Sequence, residues 1–134
     1  IPEMLYPNIK ELKESLSAHI RFKKSRKIPA WLAKAKGLIE RHFNEPVSIT
    51  RLAKEIGKHP GHLSRTFKLC FGVDIKLYQK QIRLHHAISD ISAHGKNLTR
   101  IAQDCGFYDQ SHFSRDFKKI TKMPPTSVVK LLNV

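Results

Sequence analysis

SITRLAKEIG, at residues 48–57, returns as NLTRIAQDCG at 97–106. Laid over one another at an offset of 49, the two stretches match Thr50-Arg51 with Thr99-Arg100, Ala53 with Ala102 and Gly57 with Gly106. Past the glycines, LSRTFK (63–68) lies over FSRDFK (113–118) at an offset of 50, so the second copy carries one extra residue in its turn. Repetition at this spacing means one supersecondary unit used twice. In each copy, apolar residues at helical spacing run up to the glycine and a second amphipathic segment follows it. A short helix, a tight turn and a second helix make the helix-turn-helix pattern.

The parts of the unit have separate jobs. The first helix offers Leu52, Ala53 and Ile56, or Ile101, Ala102 and Cys105, as its apolar side, and the small alanines allow another helix to cross closely. Gly57 and Gly106 stand where the chain must leave that helix, a place for a residue free to take a positive φ. The second helix supplies Leu63 and Phe67, or Phe113 and Phe117, one turn apart. FYDQSHFSRDFKK (107–119) is thereby left with a thin aromatic edge turned inward and many hydrogen-bonding tips turned outward. These are Gln110, Ser111, Ser114, Arg115 and Lys118, with His112 at the flank; the first copy has Gly61, His62, Ser64, Arg65 and Lys68 in the matching places. Such side chains suit base edges, since Arg is bidentate to guanine, Gln to adenine, and hydroxyls adapt to either. On a lone helix the same face reads as ordinary solvated surface. Its duplication, with the Ser-Arg-x-Phe-Lys core intact, argues for a face that recognises something.

Around the repeat, apolar residues recur at three and four nearly everywhere and no sustained alternation appears, so the expected fold is all-α: two helix-turn-helix subdomains joined by a long linker helix. YPNIKELKESLSAHIRF (6–22) predicts a first helix after Pro7, with Asn8 as N-cap, Glu11 as its partner and a stripe of Ile9, Leu12, Leu16 and Ile20. KKSRKIPAW (23–31) breaks it and reads as a linker, with Pro29 in the first turn of the next helix. That helix, roughly 29–43, buries Trp31 or Leu32, then Ala35, Leu38, Ile39 and Phe43. Further helices are expected near 49–57, 60–71, 74–93, 98–105 and 109–120, with a last one after Pro124-Pro125. The domain reading is therefore 1–28 as an amphipathic helix and basic linker, and 29–134 as a double helix-turn-helix domain. Within it, unit one spans about 29–72, the linker helix about 74–93 and unit two about 97–134.

Charge narrows the partner. The 134 residues hold 25 Lys and Arg against 11 Asp and Glu, a formal net charge of +14. Every segment carries some of the excess, from +1 over 29–47 to +4 over 48–72, so a basic tail does not account for it. Such a balance attracts a polyanion, either nucleic acid or an acidic membrane. The length admits one ordinary domain or two very small ones and argues against a large enzyme fold. Cys70 and Cys105 fall at apolar positions of separate helices and read as reduced small hydrophobes, which suits a cytoplasmic location. No apolar run approaches the ~18 residues of a membrane span, and no signal-peptide core opens the chain, which starts at Ile1 and so reads as a fragment or processed product.

The catalytic and metal readings are weak. His59-x-x-His62 and His85-His86 lack the accompanying Cys or carboxylate cluster of a closed metal site. No Gly-x-Ser-x-Gly, glycine-rich phosphate loop or defensible His-Cys pairing is present, so neither an enzyme nor a cofactor is expected.

ITRLAKEIG and HLSRTFK in the first copy, with IAQDCGFYDQSHFSRDFKKITKMPP (101–125) in the second, resemble the DNA-binding domain of AraC/XylS-type bacterial transcription regulators. The resemblance covers about residues 30–130 and is more specific in the second unit. It implies that the later helix of each unit enters a major groove, with Gly61, His62, Ser64, Arg65, Gln110, Ser111, His112, Ser114 and Arg115 at the bases. Three places depart from the family pattern: Lys122 stands where Gly is common, Val128 where an aromatic is common, and Asp90 where the residue is usually apolar. Gly61 also stands where some relatives put a bulky reader.

Phosphate contacts are expected from Ser48, Arg51, Lys68, Asn97, Arg100, Lys118 and Lys119, the Ser and Asn marking helix N-termini. A linker helix of about twenty residues is ~30 Å long, close to the ~34 Å between major grooves one turn apart on one face. One chain thus reads two successive grooves, and its site need not be palindromic. The expected function is sequence-specific binding of double-stranded DNA and regulation of transcription. The competing reading is a non-specific basic protein that coats DNA or an anionic membrane surface. The resemblance further implies RNA polymerase as a partner, an upstream effector-sensing domain and a bacterial, nucleoid-associated setting. It leaves homodimerisation through that domain or the 9–20 helix open.

Overall fold

The computed structural model describes residues 27–94 and 97–132, so the helix expected at 6–22 lies outside the described residues. Among these residues there are seven helices and no strand: α1 (Ala30–Arg41), α2 (Ile49–Ile56), α3 (Pro60–Phe71), α4 (Ile75–His94), α5 (Leu98–Asp104), α6 (Gln110–Thr121) and α7 (Pro125–Leu132). None is long and apolar enough to cross a membrane. Two compact units divide the chain within α4, one ending at Lys80 and the other starting at Gln81.

In the first unit, local chemistry sets the helix ends. Pro29 precedes α1 in extended conformation, and its carbonyl accepts from the N–H groups of Leu32 and Ala33. Of the two adjacent candidates, Leu32 is buried with Ala35 and Ile39, while Trp31 stays half-buried, as do Leu38 and Phe43. Ser48 Oγ accepts from the N–H of Arg51 and caps α2, which ends at Gly57 with φ 73°. There the Lys58 N–H reaches back to the Ala53 carbonyl at 2.9 Å, a six-residue closure that only a left-handed C-terminal residue permits. α3 begins at once, with Pro60 in its first turn and Gly72 at φ 77° ending it.

The core of this unit is built from α1, α2, α3 and the first turn of α4. Ala53, Leu63 and Phe67 are fully buried. Phe67 packs edge-on against Phe71 at 4.7 Å and beside Tyr78 at 5.7 Å, each such pair adding ~0.5–1.5 kcal/mol beyond area burial. Gln79 is also buried, and its amide donates to the carbonyls of Phe43 and Glu45, so the turn after α1 is tied to α4 without an unpaired donor.

The second unit repeats the scheme. Asn97 Oδ1 accepts from the N–H of Arg100 to cap α5, Gly106 takes φ 92°, and Asp109 Oδ1 accepts from the N–H of His112 at 2.7 Å to cap α6. Ala102, Phe113 and Phe117 are fully buried, as are Ile88 and Ile91 of α4 and Val128 of α7. Phe113 packs tilted against Phe107 at 5.1 Å and edge-on against Phe117 at 5.6 Å. The departures noted above are each accommodated. Lys122 adopts the left-handed φ of 67° itself, Val128 is fully buried, and Asp90 lies half-buried with its Oδ2 3.6 Å from Cys105 Sγ. Burial, and then the Asp90 charge, push the Cys105 thiol up to about 12, so it is a protonated donor to Asp90 at neutral pH. Both cysteines are free and buried.

Candidate nucleic-acid interface

Each unit turns one face of its second helix outward. On α3 the buried residues are Leu63, Phe67, Cys70 and Phe71; on α6 they are Phe113, Asp116, Phe117 and Thr121. The opposite face of α3 exposes His62, Arg65 and Lys68, with Gly61 and Ser64 half-buried. The opposite face of α6 exposes Gln110, Ser111, Arg115, Lys118 and Lys119, with His112 and Ser114 half-buried. Arg65 and Arg115 therefore occupy the same register, each two residues past an anchor, Leu63 or Phe113, that is 0 % exposed. Ser48, Arg51, Asn97 and Arg100 are exposed at the starts of the first helices, α2 and α5.

How the outward side chains are held differs between the units. On α3, a Cβ built on Gly61 would meet Arg65 Nη1 at 3.1 Å and His59 Nδ1 at 3.3 Å. The guanidinium thus folds back into the space that Gly61 leaves, while His59 Nδ1 accepts from the Gly61 N–H and serves as the helix cap. The imidazole of His62 lies against the indole of Trp31 at 5.2 Å, and Lys58 Nζ sits 5.1 Å from the same ring centroid. The half-buried Trp31 thereby buttresses the first turn of α3.

On α6 the polar tips are tied into the unit itself. The Thr99 hydroxyl donates to Gln110 Oε1 at 2.7 Å. His112 Nδ1 accepts from the N–H of Tyr108, its Nε2 lies 3.0 Å from Asp116 Oδ2, and its ring meets Phe107 edge-on at 5.5 Å. His112 Nδ1 is thus hydrogen-bonded within the unit and its Nε2 sits at ion-pair distance from Asp116, whereas His62 meets the Trp31 ring and has its Nδ1 3.5 Å from the Thr66 hydroxyl. Behind Asp116, burial pulls the Arg83 guanidinium of α4 down from its ordinary range, and the charge of Asp116 pulls it back up. The buried face of α6 therefore carries the Asp116 side chain between the His112 ring and the charge of the Arg83 guanidinium.

Several of these residues were not singled out by sequence reasoning. Trp31 entered only as a core candidate, Asp116 only as the variable residue within the repeated core, and Thr99 only as half of a repeated pair. His59 is outside the usual set of capping residues. Tyr108, in the turn before α6, is 89 % exposed although Phe107 beside it is buried. The extra residue in this turn was the available signal. Among the described residues no group of His, Cys, Asp and Glu is arranged to hold a metal ion.

The chain matches the helix-turn-helix domain family over residues 52–130. It is 34 % identical over 87 residues, 65 % of its length, to an uncharacterized HTH-type transcriptional regulator of Staphylococcus aureus, of which the match spans 12 %. It is 33 % identical over 87 residues to the uncharacterized HTH-type transcriptional regulator YobQ of Bacillus subtilis, of which the match spans 36 %. Among solved structures it is similar to an AraC-type DNA-binding regulator from Chromobacterium violaceum, with 26 % identity and a TM-score of 0.71, covering 76 % of this chain and 91 % of that one. The C-terminal domain of AraT, a response regulator from Geobacillus stearothermophilus, shares the fold at 23 % identity and a TM-score of 0.73, covering 78 % and 88 % of the two chains.

Proposed function

Because the chain belongs to the AraC-type helix-turn-helix family, we propose that it is the DNA-reading part of a transcription regulator, binding duplex DNA sequence-specifically through α3 and α6. One observation carries the reading: two helices of the same register present an exposed Arg over a fully buried anchor, in a chain of net charge +14. Each of these helices enters a major groove, the two grooves being successive ones. Arg65 and Arg115 are the principal base readers, each suited to a bidentate contact with guanine. Gln110, Ser111 and Ser114 complete the reading face of α6, and His62 and Ser64 that of α3. His112, with its Nδ1 bonded to the Tyr108 N–H, flanks that face, and Gly61 contributes close approach of the backbone.

Lys68, Lys118, Lys119, Arg51 and Arg100 contact phosphates, helped by the backbone N–H groups at the helix starts near Ser48 and Asn97. Such contacts make binding steeply salt-dependent, each neutralised phosphate adding about −0.9 to the log–log slope. Within a longer regulator, this part places the protein at its operator, where RNA polymerase is the partner whose recruitment or exclusion sets the output.

Selection of the chain against a random duplex library at about 0.15 M salt, read by sequencing, tests the proposal, because a specific reader prefers its site by ~10³ or more over other duplexes. The expected result is a motif with two dissimilar blocks about one helical turn apart. Tight, salt-sensitive retention without any motif would overturn it in favour of a protein that coats DNA.

A further inference from the structure

Thr99 lies in the first turns of α5 and Gln110 opens α6, and the bond of 2.7 Å between them joins two exposed side chains. Core packing therefore does not force the contact; it is made by the choice of these two residues. A carboxamide carries its acceptor oxygen and its donor NH₂ on diverging tips. A bidentate contact with adenine needs both tips on one base, the oxygen accepting from N6 and the nitrogen donating to N7. Where the oxygen is held against α5, the nitrogen is the tip turned away from the unit. A donor alone matches base edges that offer acceptors, which in the major groove are guanine N7 and O6, thymine O4 and adenine N7. On adenine it leaves the N6 donor without the oxygen that a bidentate contact would bring, so guanine, with two acceptors, and thymine, with no donor, become the better matches.

We propose that Thr99 is a specificity-determining residue acting through Gln110: by holding Oε1, it turns a side chain suited to adenine into a reader of guanine or thymine. The inference rests on the assignment of α6 as a base-reading helix and adds a rule for one base of its site. Thr99 itself is a positioning residue and touches no base. The repeat supplies an internal contrast. Thr50 holds the place of Thr99 in the first unit, but the residue in the place of Gln110 is Pro60, which has no polar side-chain atom to orient.

The test is the duplex selection repeated with the full chain and four variants: Gln110→Ala, Thr99→Val, Thr99→Ser and Thr50→Val. Gln110→Ala identifies the base position that depends on Gln110. The expected result is guanine or thymine at that position for the unaltered chain and a severalfold rise of adenine there for Thr99→Val, with the other positions unchanged. Thr99→Ser, which keeps the hydroxyl, should restore the original preference, and Thr50→Val should change no position. Adenine at that position in the unaltered chain, no position relaxed by Gln110→Ala, or a Thr99→Val motif equal to the original would each overturn the inference. So would a uniform loss across all positions, which is the signature of a merely structural role. Failure of the unaltered chain to select any motif would instead remove the base-reading assignment on which the inference stands. A clear motif with an unmoved position removes the inference alone.

Discussion

The two helix-turn-helix units carry one plan with two ways of holding the side chains that face outward. In the second unit the tips are fastened by hydrogen bonds: Gln110 to Thr99, the His112 ring to the Tyr108 N–H, and the start of α6 to Asp109. In the first unit hydrogen bonds serve the helix start, where His59 Nδ1 accepts from the Gly61 N–H, and a long contact of 3.5 Å joins His62 Nδ1 to the Thr66 hydroxyl, while the outward side chains rest chiefly on neighbouring surfaces. Arg65 folds over the missing side chain of Gly61, His62 leans on Trp31, and the cap is an imidazole. Hydrogen-bonded tips lose little freedom on binding and hold their geometry, whereas a guanidinium resting on a glycine must be reoriented when a base arrives. The contrast teaches that a repeated scaffold leaves the readout free to differ. On this basis α6 should read more base positions sharply than α3, and α3 should depend chiefly on Arg65.

The largest expected effect tests what the units share. Phe113→Ala removes a fully buried ring packed between Phe107 and Phe117 and should cost about 3–5 kcal/mol of stability. Leu63→Ala, at the matching place on α3, should cost about 2–5 kcal/mol. Thermal unfolding followed by circular dichroism measures both, and a loss below about 1 kcal/mol for either would mean that its helix is not anchored by that residue.

The next effect separates the readers. Arg115→Ala should weaken binding to the selected duplex by about 1–3 kcal/mol and relax one base position in one block, and Arg65→Ala should do the same in the other block. Lys118→Ala, by contrast, should weaken all duplexes alike and reduce the salt slope by about 1. Titrations with the cognate duplex and a scrambled one distinguish the cases. Equal loss on both duplexes after Arg115→Ala would make Arg115 a phosphate contact and dissolve the contrast with Lys118.

What was legible in the sequence follows a physical line. Helix starts and stops could be read because caps are local chemistry: Ser48 and Asn97 bond within three residues, and Gly57 and Gly106 take the positive φ that their positions demand. The facing of α3 and α6 could be read because a 3.6-residue period leaves one arrangement of the apolar residues. What escaped depended on partners far along the chain. Trp31 and Leu32 are adjacent and both apolar, and only the packed core decides that Leu32 goes in while Trp31 turns to His62. Asp116 sits in a row of polar residues and looks exposed, yet it is buried where His112 and Arg83 can meet its charge. The bond between Thr99 and Gln110 spans eleven residues and one turn, a separation that no periodicity encodes.

The smallest effect concerns the ends of the two second helices, where the units differ by one residue type. α3 closes on Gly72 at φ 77° and α6 on Lys122 at φ 67°, and in both the closing N–H bonds back over one turn, to Lys68 and Lys118 respectively, at 2.8 Å. An L-residue in the left-handed region costs about 1–2 kcal/mol, and replacing it with glycine gives back roughly 0.5–1 kcal/mol through the freer unfolded chain. Lys122 Nζ also donates to the Lys119 carbonyl at 3.2 Å, but this bond is exposed and weighs little against the backbone term. Lys122→Gly should therefore stabilise the protein by about 0.5 kcal/mol. Gly72→Lys, where an added Cβ meets nothing within 4 Å, should destabilise it by about 0.5 kcal/mol, the left-handed strain less the entropy that the unfolded chain loses with its glycine. Urea midpoints at an unchanged m-value read both shifts. Opposite signs would establish that the two ends obey one rule, met by the expected residue in the first unit and borne as strain in the second. If Lys122→Gly lowered the midpoint instead, the Lys122–Lys119 bond would outweigh the left-handed penalty, and the lysine would be a cap in its own right.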